Sequence, residues 1–106
     1  MSLGRVLVVD DDKNICELLR LYLEKEGYGV ILAHDGEEAV VKFNALKPDI
    51  ILLDIMLPGI DGWQVCREIR QYSKVPIIML TAKSDEKDEL QGFDLGVDEY
   101  ITKPFS

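Results

Sequence analysis

Five short apolar runs alternate with stretches of helical periodicity along the chain. Arg5 to Val9, Asp49 to Leu53 and Val75 to Leu80 are almost unbroken in apolar character. Runs of this kind read as strands covered on both faces, as in a parallel sheet. Tyr28 to Ala33 is a weaker, half-buried strand, and Val97 to Thr102 is the fifth and least apolar. Between the first two, Ile15, Leu18, Leu19, Tyr22 and Leu23 form the i, i+3, i+4, i+7, i+8 stripe of an amphipathic helix. Gly27 follows, in the position that commonly ends a helix. A second helix starts at Asp35 with Glu38 three residues on, a variant of the capping box. Ala39, Phe43 and Leu46 mark its buried side, and Pro48 closes it. A third helix spans about Gly62 to Tyr72, with Val65, Cys66 and Ile69 on one face. A fourth opens at Ser84 and stops before Gly96; its apolar stripe is thin, chiefly Leu90 and Phe93, so it is the least firmly held.

The order βαβαβαβαβ calls for an α/β fold with a parallel sheet and right-handed crossovers. A sheet wound on both faces needs a further helix after strand five, and the chain stops at Ser106. The expectation is a single domain over residues 1–106, cut before its last helix. Apolar surface that this helix would cover is then left exposed or covered by a second chain.

At 106 residues the chain is one domain's worth. A net charge of −8 disfavours nucleic acid and anionic lipid as direct ligands. No stretch approaches the roughly 20 apolar residues of a membrane span, and the N-terminus lacks the apolar core of a signal peptide. Cys16 and Cys66 lie in different segments without metal-ligand spacing, and read as reduced, buried residues of a cytoplasmic protein.

Ligands of open α/β sheets bind at the carboxyl ends of the strands. Strand one ends in Asp10, Asp11 and Asp12; strand three in Asp54; strand four in Thr81; strand five in Thr102, Lys103 and Pro104. Crowded carboxylates repel one another unless a cation sits among them. Oxygen-only donors suit Mg²⁺, which takes one or two carboxylates together with phosphate oxygens. A neighbouring lysine then implies an anionic group, and a carboxylate can itself accept a phosphoryl group. Plainer readings exist for each residue. Asp10 and Asp11 suit a helix N-terminus through its dipole. Asp54 can lead into the Pro58-Gly59 turn, Thr81 can be a strand-end hydroxyl, Lys103 a solvated lysine and Tyr100 a packing residue. Asp12 reads as a cap, His34 as a solvent-facing loop residue, and Trp63 as a partly buried packing residue.

Four segments, VLVVDDD, DIILLDIMLPGIDG, IIMLTA and DEYITKPF, resemble in order and spacing the receiver domain of two-component response regulators. The resemblance covers Arg5 to Phe105. It implies a flavodoxin-like, doubly wound five-stranded sheet of order 2-1-3-4-5. It implies Asp54 as the phosphoacceptor, Asp11 as a direct Mg²⁺ ligand, Asp10 as a ligand through water, and the Met56 carbonyl as the third protein ligand. Thr81 and Lys103 would contact the phosphoryl group, and Thr81 and Tyr100 would form the switch. The Lys103-Pro104 bond would be cis, a state proline makes accessible. The implied partner is a sensor histidine kinase. The domain would be catalyst and substrate at once, accelerating its own phosphorylation and dephosphorylation. Ile55 to Gly59 together with Lys103 to Phe105 resemble the regulators with a winged-helix output domain, which dimerise through helix four, strand five and helix five. A stand-alone receiver, or one attached to a kinase, is the alternative. A binding-only receiver is disfavoured by the intact Asp10, Asp11, Asp54, Thr81 and Lys103. A haloacid-dehalogenase-type phosphatase usually needs an aspartate two residues after its nucleophile, where this chain has Met56. A flavodoxin relative would need a hydroxyl-rich phosphate loop after strand one.

Overall fold

The computed structural model describes residues 3–81 and 99–102, with the side chains of residues 3–80. The elements are β1 (Arg5–Val9), α1 (Lys13–Lys25), β2 (Gly29–Ala33), α2 (Gly36–Leu46), β3 (Ile50–Asp54), α3 (Gly62–Arg70), β4 (Ile77–Thr81) and β5 (Glu99–Thr102). The strands form one parallel sheet in the order β2-β1-β3-β4-β5. This is the α/β, flavodoxin-like architecture expected. The fourth helix expected from Ser84 lies outside the described residues, as do Lys103 and Pro104.

Helices pack against both faces of the sheet, α2 and α3 on one and α1 on the other, in keeping with strands that read as unbroken apolar runs. Leu7, Val9, Ile51, Leu53, Ile77 and Met79 point to one face and meet Ala39 and Phe43 of α2 and Trp63, Val65, Cys66 and Ile69 of α3. The alternate positions Val6, Val8, Leu52 and Leu80 point to the other face, where they meet Cys16, Leu19 and Leu23 of α1. The α1 face is the smaller cluster and has more half-buried members, among them Val30, Leu32, Ile50 and Ile78.

The helix stripes need two corrections. Leu18 and Tyr22 are 53% and 69% exposed. The sheet is met by Cys16 instead, with Leu19 and Leu23 beside it, because only a stripe about 100° wide can face one layer. Leu46 is also exposed. It lies in the last turn of α2, where its carbonyl accepts from the Arg5 guanidinium at the polar end of the sheet.

Helix ends follow the local chemistry. The Asp12 side chain accepts from the N–H groups of Asn14 and Ile15 and caps α1. At the other end Tyr28 N–H bonds Leu23 O and Gly27 N–H bonds Glu24 O, at 3.0 and 3.1 Å, a complete Schellman motif. Gly27 has φ +102°, a conformation that favours glycine. This motif engages Tyr28, so β2 starts one residue later than its pattern implied. Asp35 caps α2 by accepting from Glu38 N–H. The Glu38 carboxylate reaches one residue beyond the usual capping box, to His34 N–H at 2.6 Å. Asp61 and Gln64 form the full reciprocal box of α3.

Candidate functional site

The crossover order places the site. β1 is followed by β2 on one side and, after α2, by β3 on the other. The crevice between the carboxyl ends of β1 and β3 is the point where the winding reverses. Asp10 directly follows β1 and Asp54 is the last residue of β3, so two acidic side chains flank that crevice.

Asp10 and Asp54 are buried, at 0% and 3% exposure, while Asp11 is exposed at the rim. One carboxylate oxygen from each of the three lies within 4.8 Å of the others. Asp10 is held by its backbone N–H, which donates to Ala33 O at 3.1 Å, and by its Oδ1, which accepts from Asp12 N–H at 2.9 Å. Asp54 Oδ1 accepts from Met56 N–H at 3.1 Å. Ile55 N–H donates to Leu80 O, carrying the ladder one step past Asp54. Asp54 thus pairs with Leu80 inside the sheet rather than following it, and β3 is shifted by one residue from Asp49–Leu53.

Gly62, the first residue of α3, sits close behind Asp54. A Cβ there would lie 2.3 Å from Asp54 O and 2.8 Å from Ile55 Cα. Only glycine permits this approach of helix to strand end. Asp11, Met56, Pro58, Gly59, Asp61 and Trp63 line an open cleft beside the acidic group. Met56 is exposed in it, whereas Trp63 is 6% exposed and packs into the core more deeply than a partly buried residue.

The donor set fits a hard divalent cation. It is all oxygen, two of its three carboxylates are buried, and their mutual repulsion is relieved by a positive charge. Thr81 ends β4 in register with Thr102 of β5, and Tyr100 is in register with Met79. The side chains of Thr81 and Tyr100 are outside the described residues.

A second polar group adjoins Asp10, and the sequence reading missed it. His34 is half-buried rather than solvent-facing. Its Nδ1 lies 3.2 Å from Asp10 O and 3.6 Å from Cys16 Sγ, and Cys16 Sγ lies 3.2 Å from Asp10 O. The physical reason is topological. β2 pairs with β1 so that Ala33 faces Val9, and the residue after each must meet the other. The His34 backbone N–H also draws the Glu38 carboxyl below the usual carboxylate range, with Lys42 adding to the effect and partial burial opposing it. Cys66 behaves as expected of a buried structural thiol: burial pushes it up, against the weaker pull of Arg70 and Arg67.

Residues 6–106 match the family model described as "Response regulator receiver domain". Among solved structures, the chain is similar to the chemotaxis protein CheY4 of Vibrio cholerae, at 31% identity and TM-score 0.93, covering 99% of this chain and 90% of that one. It is similar to the response regulator TrrA of Thermotoga maritima in complex with Mg(2+)-BeF, at 45% identity and TM-score 0.87, covering 100% and 90%. It is also similar to the BeF3-activated N-terminal receiver domain of Klebsiella pneumoniae RstA, at 33% identity and TM-score 0.89, covering 96% and 87%.

Proposed function

Because this chain belongs to the response regulator receiver domain family, we propose that it takes a phosphoryl group from a sensor histidine kinase onto Asp54. The observation that carries the reading is the convergence of Asp10, Asp11 and Asp54 at the winding reversal of the sheet. Receiver domains bind Mg²⁺ at such an acidic pocket, and the relative TrrA was solved with Mg(2+)-BeF. Asp10, Asp11, Asp54 and the Met56 carbonyl would hold the ion here. When bound, Mg²⁺ supplies charge neutralisation for the phosphoryl oxygens.

In the transfer, an Asp54 carboxylate oxygen bonds phosphorus as the phosphorus–nitrogen bond of the phosphohistidine breaks. The electron pair leaves with the imidazole nitrogen. The Met56 N–H donates to Asp54 Oδ1 and so helps to orient the carboxylate for this attack. Lys103 and Thr81 then contact the transferred group. Its added charge of about −1.5 to −2 draws Thr81 toward it, and Tyr100 turns into the space left behind. Moving a two-state surface from 1:99 to 99:1 requires about 5.5 kcal/mol. A few charge-assisted hydrogen bonds to one phosphoryl group reach that figure. The surface that changes is helix four and strand five, through which the domain would form a homodimer. The output is transcription, carried by a winged-helix domain in a cytoplasmic regulator; the Ile55 to Gly59 and Lys103 to Phe105 segments support this subclass.

The test is intact-mass spectrometry after incubation with acetyl phosphate, with and without Mg²⁺, on the wild type and Asp54→Asn. One Mg²⁺-dependent phosphoryl adduct, absent in Asp54→Asn, is expected. A folded wild-type protein that acquires no adduct would overturn the reading in favour of a receiver that only binds partners.

A further inference from the structure

The Asp10–Asp11 peptide is the hinge on which the acidic group depends. Asp10 is buried and Asp11 is at the rim, so the two carboxylates converge only if the peptide between them holds one orientation. The polar groups of Asp10 fix it: its N–H meets Ala33 O, its Oδ1 meets Asp12 N–H, and its carbonyl oxygen lies against two side chains. Those side chains are Cys16, from the first turn of α1, and His34, from the end of β2. A carbonyl oxygen accepts only. A ring nitrogen 3.2 Å from it hydrogen-bonds it only in the Nδ1–H tautomer of His34. The thiol of Cys16 approaches the same oxygen at 3.2 Å, and a carbonyl has two lone pairs to receive both donors.

We propose that His34 is a positioning residue for the metal site. By donating from Nδ1 to the Asp10 carbonyl, beside the Cys16 thiol, it fixes the Asp10–Asp11 peptide and aims the Asp11 carboxylate at the Asp10–Asp54 pair. The inference rests on the Mg²⁺ reading of the acidic group given above. It makes β2 a contributor to that group: none of the three carboxylates lies on β2, yet the residue that follows its carboxyl end orients one of them. Cys16 alone cannot do the same, because a thiol is a weak donor. Glu38 supports the arrangement from the other side by accepting the His34 backbone N–H, which anchors the main chain from which the imidazole projects.

The experiment is a Mg²⁺ titration of the whole chain at constant pH, followed by calorimetry and in parallel by the fluorescence of Trp63. Trp63 is the sole tryptophan and lines the cleft with Asp11. His34→Ala, His34→Asn and His34→Gln are compared with the wild type. The Asn side-chain amide places a donor where Nδ1 stands, whereas the Gln amide places it where Nε2 stands. His34→Ala and His34→Gln are expected to bind Mg²⁺ about 3- to 10-fold more weakly, the factor that one hydrogen bond typically contributes. His34→Asn is expected to recover most of the loss. Metal-free melting temperatures separate positioning from folding: a purely structural role lowers all three melts and leaves affinity in the folded protein unchanged. Equal affinity in the wild type and His34→Ala overturns the proposal while the metal reading stands. No Mg²⁺ binding by the wild type overturns both.

Discussion

Replacing Asp10 with asparagine removes one charge from a crowded buried group while keeping the oxygen that Asp12 N–H needs. One oxygen from each of Asp10, Asp11 and Asp54 lies within 4.8 Å of the others. At that separation two unit charges repel by about 3.5 kcal/mol at an effective dielectric of about 20, and by about 0.9 kcal/mol in bulk water. The Asp10–Asp54 pair is buried and belongs near the first figure, while exposed Asp11 belongs near the second. The new amide can also donate to either remaining carboxylate. Asp10→Asn should therefore stabilise the metal-free protein by about 1–3 kcal/mol, and each kcal/mol raises the melting temperature of a domain this size by about 4–8 °C. Mg²⁺ reverses the comparison. At 100 times its dissociation constant a ligand adds about 2.7 kcal/mol to the stability of the protein that binds it, and under the proposed Mg²⁺ reading the variant lacks one carboxylate that holds the ion. The assay is thermal melting followed by far-ultraviolet circular dichroism, once in chelator and once in saturating Mg²⁺. The variant should melt higher in chelator, and the gap should close or invert with Mg²⁺. A variant that melts at or below the wild type in chelator would refute the claim that repulsion dominates this group.

Two further outcomes follow from close contacts elsewhere. Gly62→Ala drives a Cβ into Asp54 O and Ile55 Cα, backbone atoms that cannot swing aside; a loss of about 2–3 kcal/mol is expected by urea unfolding, with slower acetyl phosphate labelling of Asp54. Glu38 is held below the usual carboxylate range chiefly by His34 N–H. Its ionised form therefore adds stability that is complete above the unfolded value of about 4.3 and is lost as pH falls through the lower folded value. Glu38→Gln should be less stable than the wild type near neutral pH and should converge with it in strong acid; a constant difference across that range would rule out the charge as the cause.

The pattern of apolar runs was enough for the strand count and the parallel sheet, because strands buried on both faces have a periodicity unlike that of helices; the strand order came only with the resemblance to receiver domains. Caps were equally legible. Asp12 and Asp35 each stand immediately before a helix, and a short side-chain acceptor there serves N–H groups two or three residues away; the reciprocal Asp61–Gln64 box of α3 emerged only in the structure. Asp10, Asp11 and Asp54 could be nominated for the same reason: strand ends in an open sheet form the binding edge, and these residues are acidic. Such information is local, and a chain of letters holds it.

What tertiary structure decided concerns residues whose neighbours are distant in sequence. Leu18 and Tyr22 carry a helix stripe in the sequence, yet the sheet meets Cys16, Leu19 and Leu23, since the angle at which α1 sits is set by packing. Gly62 reads as an ordinary first helical residue, and only the approach of α3 to the end of β3 makes its missing side chain necessary. His34 looks like a loop histidine until β2 pairs with β1 and sets its ring against the carbonyl of Asp10, 24 residues away. The carboxylates named themselves by chemical type, but the distance between them, and the groups that hold them at it, arise only when strands far apart in the chain lie side by side.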